Sequence, residues 1–454
     1  MTDLSLVDTI VIVMLENRSF DHMLGHLSLD PYANGSTIEG LKAPLTRPEY
    51  ENVADGEPYY PFPMRDGRLS TDLPHSRAEM NRALALSPAT GKYSMSGFVE
   101  VYFDHTGTNR TTTPDPMGFL TPEDLPVTDF FANNYAVCDH WFAPLPTSTQ
   151  PNRLMALSGS SRIDETRGIF PPQDPLLIDW LFERKVRWRV YHSGISFFAL
   201  LGRLDIFTER FRSIDRLAPD VSHERTDDFP SVILVEPAYG DAPRIGGSLP
   251  NDNHPPLPVA PGEALLQQVY EALTCNPERW ARTVLIVTYD EHGGFFDHVP
   301  PLPIRYDPAP NAVFREPFLS TGLRVPSLVV SPLVSPMSVF DGFLDHTSIL
   351  QLLAEKFAPN QGGYSESVEN RRRQGIRSVS EVLGLETPRT SIPQAPAAPL
   401  RAEVSLGGPL PTGATDMQLA FAAAANSMVQ NYPKETAQRY PEVSHWVLTQ
   451  RDVG

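Results

Sequence analysis

The chain has 454 residues, 41% of them hydrophobic and 20% charged, with a formal net charge of -18. That length suits a large α/β domain with a smaller unit attached. The acidic balance excludes a broad electrostatic grip on nucleic acid, which needs a basic surface, and no obligate protein partner is evident. The two cysteines, Cys138 and Cys275, form no CxxC pattern. Neither a disulfide framework nor a sulfur-ligated zinc site is expected, and both read as buried or half-buried thiols.

In chain order, Met1 to Asp8 lacks the basic segment and apolar core of a secretory signal. The apolar run after it, Thr9 to Leu15, is too short to span a bilayer. The expectation is a soluble protein, cytoplasmic by the absence of a signal peptide and secreted if a leader was removed. Residues 28–75 and 88–125 are rich in Pro, Gly, Asp and Thr and read as insertions above a sheet. Apolar runs then recur at Arg187–Tyr191, Ser231–Val235, Thr283–Tyr289 and Val325–Val330. The runs lack polar alternation, which suits parallel strands buried on both faces. Helical patterns over Pro175–Glu183, Gly262–Leu273 and His346–Phe357 separate them, the last with Asp345 or Thr347 as a cap. Strands alternating with helices imply a parallel sheet covered on both sides. The expected organisation is a catalytic domain over 1–385, a Pro/Ala-rich linker over 386–415 and a helical appendage over 416–454.

Two of the strands end in oxygen ligands. Thr9–Leu15 runs into Glu16-Asn17, and Thr283–Tyr289 runs into Asp290-Glu291-His292 and Gly293-Gly294. Ligands in open α/β sheets bind beyond the carboxyl ends of strands, so the two pairs could meet around one divalent cation, with Ca²⁺, Mg²⁺, Mn²⁺ and Zn²⁺ all compatible with that donor set. Taken singly, each pair reads more readily as a cap for the next turn than as a ligand pair. Pro144 to Met155 is a polar turn opening into a helix, with Pro151 in its first turn and backbone amides that favour an anion. A hydroxyl there could attack phosphorus, although Ser148 or Thr149 could equally be a plain helix cap. Three of the 12 histidines, His75, His192 and His254, sit where they could touch a phosphoryl oxygen or protonate a leaving group. Each alone also fits a surface or core histidine. Asp297-His298 and Asp345-His346 read as supports behind the ligands, and His22 and His140 as packing.

The segments Glu16-Asn17-Arg18-Ser19-Phe20-Asp21-His22, Thr149-Gln150-Pro151-Asn152-Arg153, Asn251-Asp252-Asn253-His254-Pro255, Thr288 to His298 and Asp345-His346-Thr347-Ser348 resemble the phosphoesterase family. That family holds phospholipases C and acid phosphatases and belongs to the alkaline phosphatase superfamily. The resemblance covers about Asp8 to Phe357 in the family's order. It implies an alkaline phosphatase-like α/β/α sandwich with a mainly parallel sheet. It also implies one divalent metal ion held by Glu16, Asn17, Asp290 and Glu291, with Thr149 as nucleophile and further ligand. His75, His192 and His254 match phosphate-contacting and leaving-group histidines. Threonine at the nucleophile position is usual in the phospholipase branch and serine in the phosphatase branch, so the resemblance favours phosphodiesters of phospholipid type. The alternative is an acid phosphatase or phosphodiesterase acting on soluble esters. The phosphatase pattern has two adjacent histidines where this chain has Tyr191-His192, and Asn251-Asp252-Asn253 departs from the usual acidic spelling. A phospholipid substrate is compatible with transient contact with a membrane surface, but no basic amphipathic helix points to stable anchoring.

Overall fold

A computed structural model describes residues 3–33, 35–107, 111–243, 249–399 and 415–451, with backbone alone from 448. Among them, eight strands form the central sheet: β1 (Thr9–Leu15), β2 (Ala136–Cys138), β3 (Trp188–His192), β4 (Phe211–Ser213), β5 (Val232–Glu236), β6 (Thr283–Tyr289), β7 (Leu328–Val330) and β8 (Ser338–Phe340). Their spatial order is β8-β2-β7-β6-β1-β5-β3-β4. All run parallel except β7, which pairs antiparallel with both its neighbours. The sheet is therefore mainly parallel, as expected, with the run ending at Val330 reversed. Every residue of β1 and β6 is buried, which accounts for their unbroken apolar spelling.

The chain also forms helices α1 (Arg77–Leu84), α2 (Pro126–Asn134), α3 (Thr149–Ser158), α4 (Leu177–Glu183), α5 (Leu217–His223), α6 (Ala260–Thr274), α7 (Thr347–Phe357), α8 (Asp416–Asn431), α9 (Pro433–Arg439) and α10 (Pro441–Arg451). Side chains of α3, α4 and α7 meet Ile12, Met14 and Leu234 on one face, while α2, α5 and α6 pack together as a second group. The insertions between residues 29 and 119 carry their own core, in which Leu73, Met80, Phe98 and Tyr102 join Phe295 and Phe296. Part of the expected linker is strapped to α6, where the Tyr270 hydroxyl donates to Pro393 O and Gln267 Oε1 accepts from Ala398 N. Residues 400–414 of that stretch lie outside the described residues. Helix α8 buries Ala420, Phe421, Ala424 and Ala425 in the main core, whereas Leu419 is 52% exposed. Cys138 is buried and Cys275, contrary to expectation, is exposed. Among the described residues no helix is long and apolar enough to cross a membrane.

The β1–β6 register places the site. Thr9 pairs with Thr283 and Leu15 with Tyr289, so both strands run out at one level, and Asp290 N donates to Leu15 O at 3.1 Å. Glu16-Asn17 and Asp290-Glu291 thus emerge side by side from residues 274 positions apart in the chain.

Candidate active site at the strand ends

Asn17 leaves β1 with a left-handed backbone, φ 58°, a conformation asparagine tolerates better than most residues. Its N–H donates to Asp290 Oδ1 at 3.1 Å, and Arg18 N donates to Glu291 O at 3.1 Å. The turn after Glu291 needs glycine. Gly293 has φ 62°, and a Cβ there would lie 2.1 Å from Asn17 O. His346 supports the same strand end, donating from Nε2 to Asp290 O at 2.7 Å, while its Nδ1 accepts from Trp141 Nε1 at 3.2 Å.

Thr149 is the first residue of α3, and its hydroxyl donates to Asn17 Oδ1 at 3.3 Å. Ser148 does not cap the helix with its side chain; its Oγ accepts instead from Thr166 N and Thr166 Oγ1. Two histidines flank Asn17. His254 Nε2 lies 3.0 Å and His75 Nε2 3.5 Å from Asn17 Nδ2. Both rings are pinned through Nδ1 to a backbone carbonyl, that of Leu73 for His75 and that of Pro255 for His254. A carbonyl only accepts, so Nδ1 carries the proton and Nε2 is the nitrogen presented to the site. The loop bearing His254 presses onto α6, and a Cβ at Gly262 would sit 1.9 Å from Asn253 Oδ1.

His192 stands apart. Its Nδ1 meets Gly194 O at 2.8 Å, and its ring stacks on Tyr440 at 5.4 Å. It lines an open cavity of about 840 Å³ together with Arg212, Arg216, Asp220, Glu224 and Arg439. The sheet order explains the separation. Strand β5 lies between β1 and β3, so the end of β3 is two strand spacings, roughly 10 Å, from the end of β1. Structure thus brings together Glu16, Asn17, Thr149, Asp290, Glu291, His75 and His254, and leaves His192 in a neighbouring cavity.

The structure adds two residues whose roles the sequence did not disclose. Arg153, one turn after Thr149 on α3, reaches Asp290 Oδ2 through Nε at 3.1 Å and Glu16 Oε1 through Nη2 at 3.1 Å. It lies between the rings of Phe197 and Tyr239, each 5.1 Å from its guanidinium carbon. Asp241, in the loop after β5, places Oδ2 3.5 Å from His254 Nε2. Arg153 stood inside a quoted motif, and its helical spacing from Thr149 was an available signal. Asp241 sits in no periodic pattern and becomes visible only in three dimensions.

The donor set suits a cation. Both carboxylate oxygens of Glu16 and Oε1 of Glu291 are buried without a hydrogen-bond partner, an arrangement that is costly unless a positive charge is supplied. Arg153 approaches Glu16 as an ion pair without hydrogen-bond alignment. Burial pushes the Glu16 carboxyl well above its ordinary range, with Arg153 opposing and Asp290 adding. Asp290 is pushed to about 6 by burial, against Arg153. Burial acts against ionisation of Glu291 as well, but the charges of His75 and His292 outweigh it and hold that carboxyl low. Asp290 is the least available ligand, because Asn17 N, Glu291 N and Arg153 already occupy its oxygens.

A second buried cluster, Asp21, Asp297 and His298, already holds a cation of its own. Arg324 reaches Asp297 Oδ1 through Nε at 2.9 Å and Asp21 Oδ1 through Nη2 at 3.1 Å. Burial would lower the His298 pKa, but the Asp21 charge and hydrogen bond, with Glu39, raise it from 6.5 to about 9. A raised folded-state value means that this contribution is complete below about pH 6.5 and is lost as pH climbs through about 9. Replacing His298 by Asn should therefore flatten the decline of unfolding free energy across that window by roughly 2–3 kcal/mol. Denaturant unfolding at a series of pH values checks this, and an unchanged pH slope would refute it.

The ends of the parallel strands β1 and β6 thus bring buried carboxylates, an amide and a helix-borne hydroxyl together. The Phosphoesterase family model matches residues 7–358, and the chain belongs to that family. It is 28% identical to non-specific phospholipase C3 of Arabidopsis thaliana, over 88% of this chain and 78% of that protein. It is 29% identical to phospholipase C A of Mycobacterium tuberculosis, over 80% of this chain and 75% of that one. A solved structure described as a protein in the alkaline phosphatase superfamily from Vibrio parahaemolyticus is a distant likeness, with a TM-score of 0.30 at 12% identity over 58% of this chain and 63% of that one.

Proposed function

We propose that the chain is a metal-dependent phosphodiesterase of the phospholipase C type that works through a phosphothreonine intermediate. The observation that carries this reading is the Thr149 hydroxyl, presented by the start of α3 to Asn17 at the strand ends that also carry Glu16, Asp290 and Glu291. The phospholipase C names of its relatives favour a phospholipid diester as substrate.

Thr149 gives its hydroxyl proton to solvent as Oγ1 attacks phosphorus and the bond from phosphorus to the alcohol oxygen breaks, the alcohol leaving with a proton from His75. Water then attacks the same phosphorus, one of its protons restores the Thr149 hydroxyl as the ester bond to it breaks, and the phosphorylated headgroup is freed. A divalent cation held by Glu16, Asn17, Asp290 and Glu291 would lower the hydroxyl pKa and offset charge on the phosphoryl oxygens. Asn17 aligns the hydroxyl through Oδ1. His75 supplies the proton to the departing alcohol. Burial disfavours its charged form, but Glu291 and Asp72 outweigh this and hold the imidazolium above its usual range. Its side chain, 15% exposed, can be recharged from solvent.

The test is a pair of nitrophenyl esters. Nitrophenylphosphocholine should be cleaved with a kcat/KM at least about tenfold above that for nitrophenyl phosphate, a difference of about 1.4 kcal/mol in transition-state stabilisation. Equal or faster monoester cleavage would replace the phospholipase reading with an acid phosphatase acting on soluble esters.

A further inference from the structure

Glu236 ends β5, the strand next to β1, and is buried. Its Oε1 accepts from Phe197 N at 3.1 Å, while Oε2 is buried without a hydrogen-bond partner. Burial pushes the carboxyl up to about 7, against the Ser196 hydroxyl, the Arg153 charge, the Phe197 N–H and the Tyr239 hydroxyl. A carboxylate half-satisfied in this way is costly unless it answers a positive charge nearby. Arg153 is the guanidinium at hand. The two residues line one cavity of about 40 Å³ whose other walls are apolar, among them Met14, Phe197 and Leu234.

Arg153 is anchored at the strand ends. Nη2 donates to the carbonyls of Met14 and Leu15, both at 3.3 Å, and Nη1 donates to the Tyr239 hydroxyl at 3.2 Å. Nε donates to Asp290 Oδ2, and the rings of Phe197 and Tyr239 flank the guanidinium. Glu16 therefore receives the charge of Arg153 without an aligned hydrogen bond. A divalent cation drawn to Glu16 and Asp290 meets this fixed positive charge, and like charges repel strongly where little water screens them. An anion resident beside Arg153 offsets that repulsion. Glu236 is such an anion, acting on the Arg153 charge in the same sense as Asp290 and Glu16.

We propose that Glu236 is a positioning residue for the strand-end cation, balancing the charge of Arg153 from β5 and so leaving Glu16 and Asp290 to the ion. It acts through Arg153 and holds no metal itself. This role rests on the metal-dependent reading of the strand ends, and cation binding measured without turnover lets the two fail separately.

The test is cation affinity of the full chain, stripped with a chelator and titrated in a calorimeter with Ca²⁺, Mg²⁺, Mn²⁺ and Zn²⁺ in turn. Glu236→Gln keeps the volume and the acceptor for Phe197 N and removes the charge. It should bind the cation about 10- to 100-fold more weakly than the parent, as when a residue behind a metal ligand is lost. Its stripped form should melt close to the parent, whereas a merely structural Glu236 would lower the melt and leave affinity alone. In an Arg153→Met background the same substitution should alter affinity by less than about twofold. There a buried Glu236 has lost its positive neighbour and stays protonated, so that glutamine mimics it. Unchanged affinity in Glu236→Gln would overturn the proposal. An undiminished loss in the Arg153→Met background would overturn it too, by showing that Glu236 attracts the ion directly. Should Arg153→Met fail to fold, affinity and melt of the single variant decide. A parent that binds none of these ions would refute the metal-dependent reading itself, a failure distinct from a variant that matches a parent that binds.

Discussion

Thr149→Ala should lower kcat for phosphodiester cleavage by at least about a thousandfold while leaving the fold intact. Deleting an attacking group removes the covalent route altogether, and what survives comes from binding and charge stabilisation around an empty position. The structural cost is small. The Thr149 side chain makes one hydrogen bond, at 3.3 Å to Asn17 Oδ1, worth about 1 kcal/mol. Helix α3 keeps Pro151 in its first turn and keeps Asn152, whose side chain accepts from Leu145 N and donates to the carbonyls of Leu145, Thr147 and Ser148. Steady-state turnover on nitrophenylphosphocholine, read with a thermal melt, separates the two effects. Turnover within a few-fold of the parent would remove Thr149 from the chemistry.

Arg153→Met should act in the opposite sense, on stability first. Its guanidinium is buried between two rings and faces Glu16, Asp290 and the more distant Glu236. Methionine replaces much of the volume but leaves those carboxylates without their resident positive charge. Breaking a buried ion pair from one side costs about 3–5 kcal/mol. The loss should be partly reversed by added divalent cation, because a ligand that binds only the folded chain stabilises it by mass action. The expected result is a melting temperature far below the parent's without metal and a larger metal-induced rise. A variant as stable as the parent in chelator would show that Arg153 does not balance the carboxylates.

These two residues mark where the sequence was readable. Strands β1 and β6 stood out because burial on both faces leaves no polar alternation, and the residues that follow such strands are where ligands gather. Glu16, Asn17, Asp290 and Glu291 were legible for that reason, and parallel register brings them together. Three-residue strands such as Ala136–Cys138, Phe211–Ser213 and Ser338–Phe340 are too short to show a period. His192 was legible as a strand-end histidine, but nothing in one dimension tells which strands are neighbours, and β5 intervenes. Asp241 takes its meaning from Thr415, 174 positions away, a pairing no local pattern announces. Helix α8 was foreseen as an appendage, yet its periodicity could not show that its first turn braces a loop at the site.

The most direct measurement is the stereochemical course at phosphorus, using a phosphodiester made chiral with oxygen isotopes or sulfur. Attack by Thr149 followed by attack by water is two in-line displacements, and the account predicts net retention of configuration. Net inversion would mean that water attacks the substrate directly, and would contradict the phosphothreonine route on which the reading of this site depends.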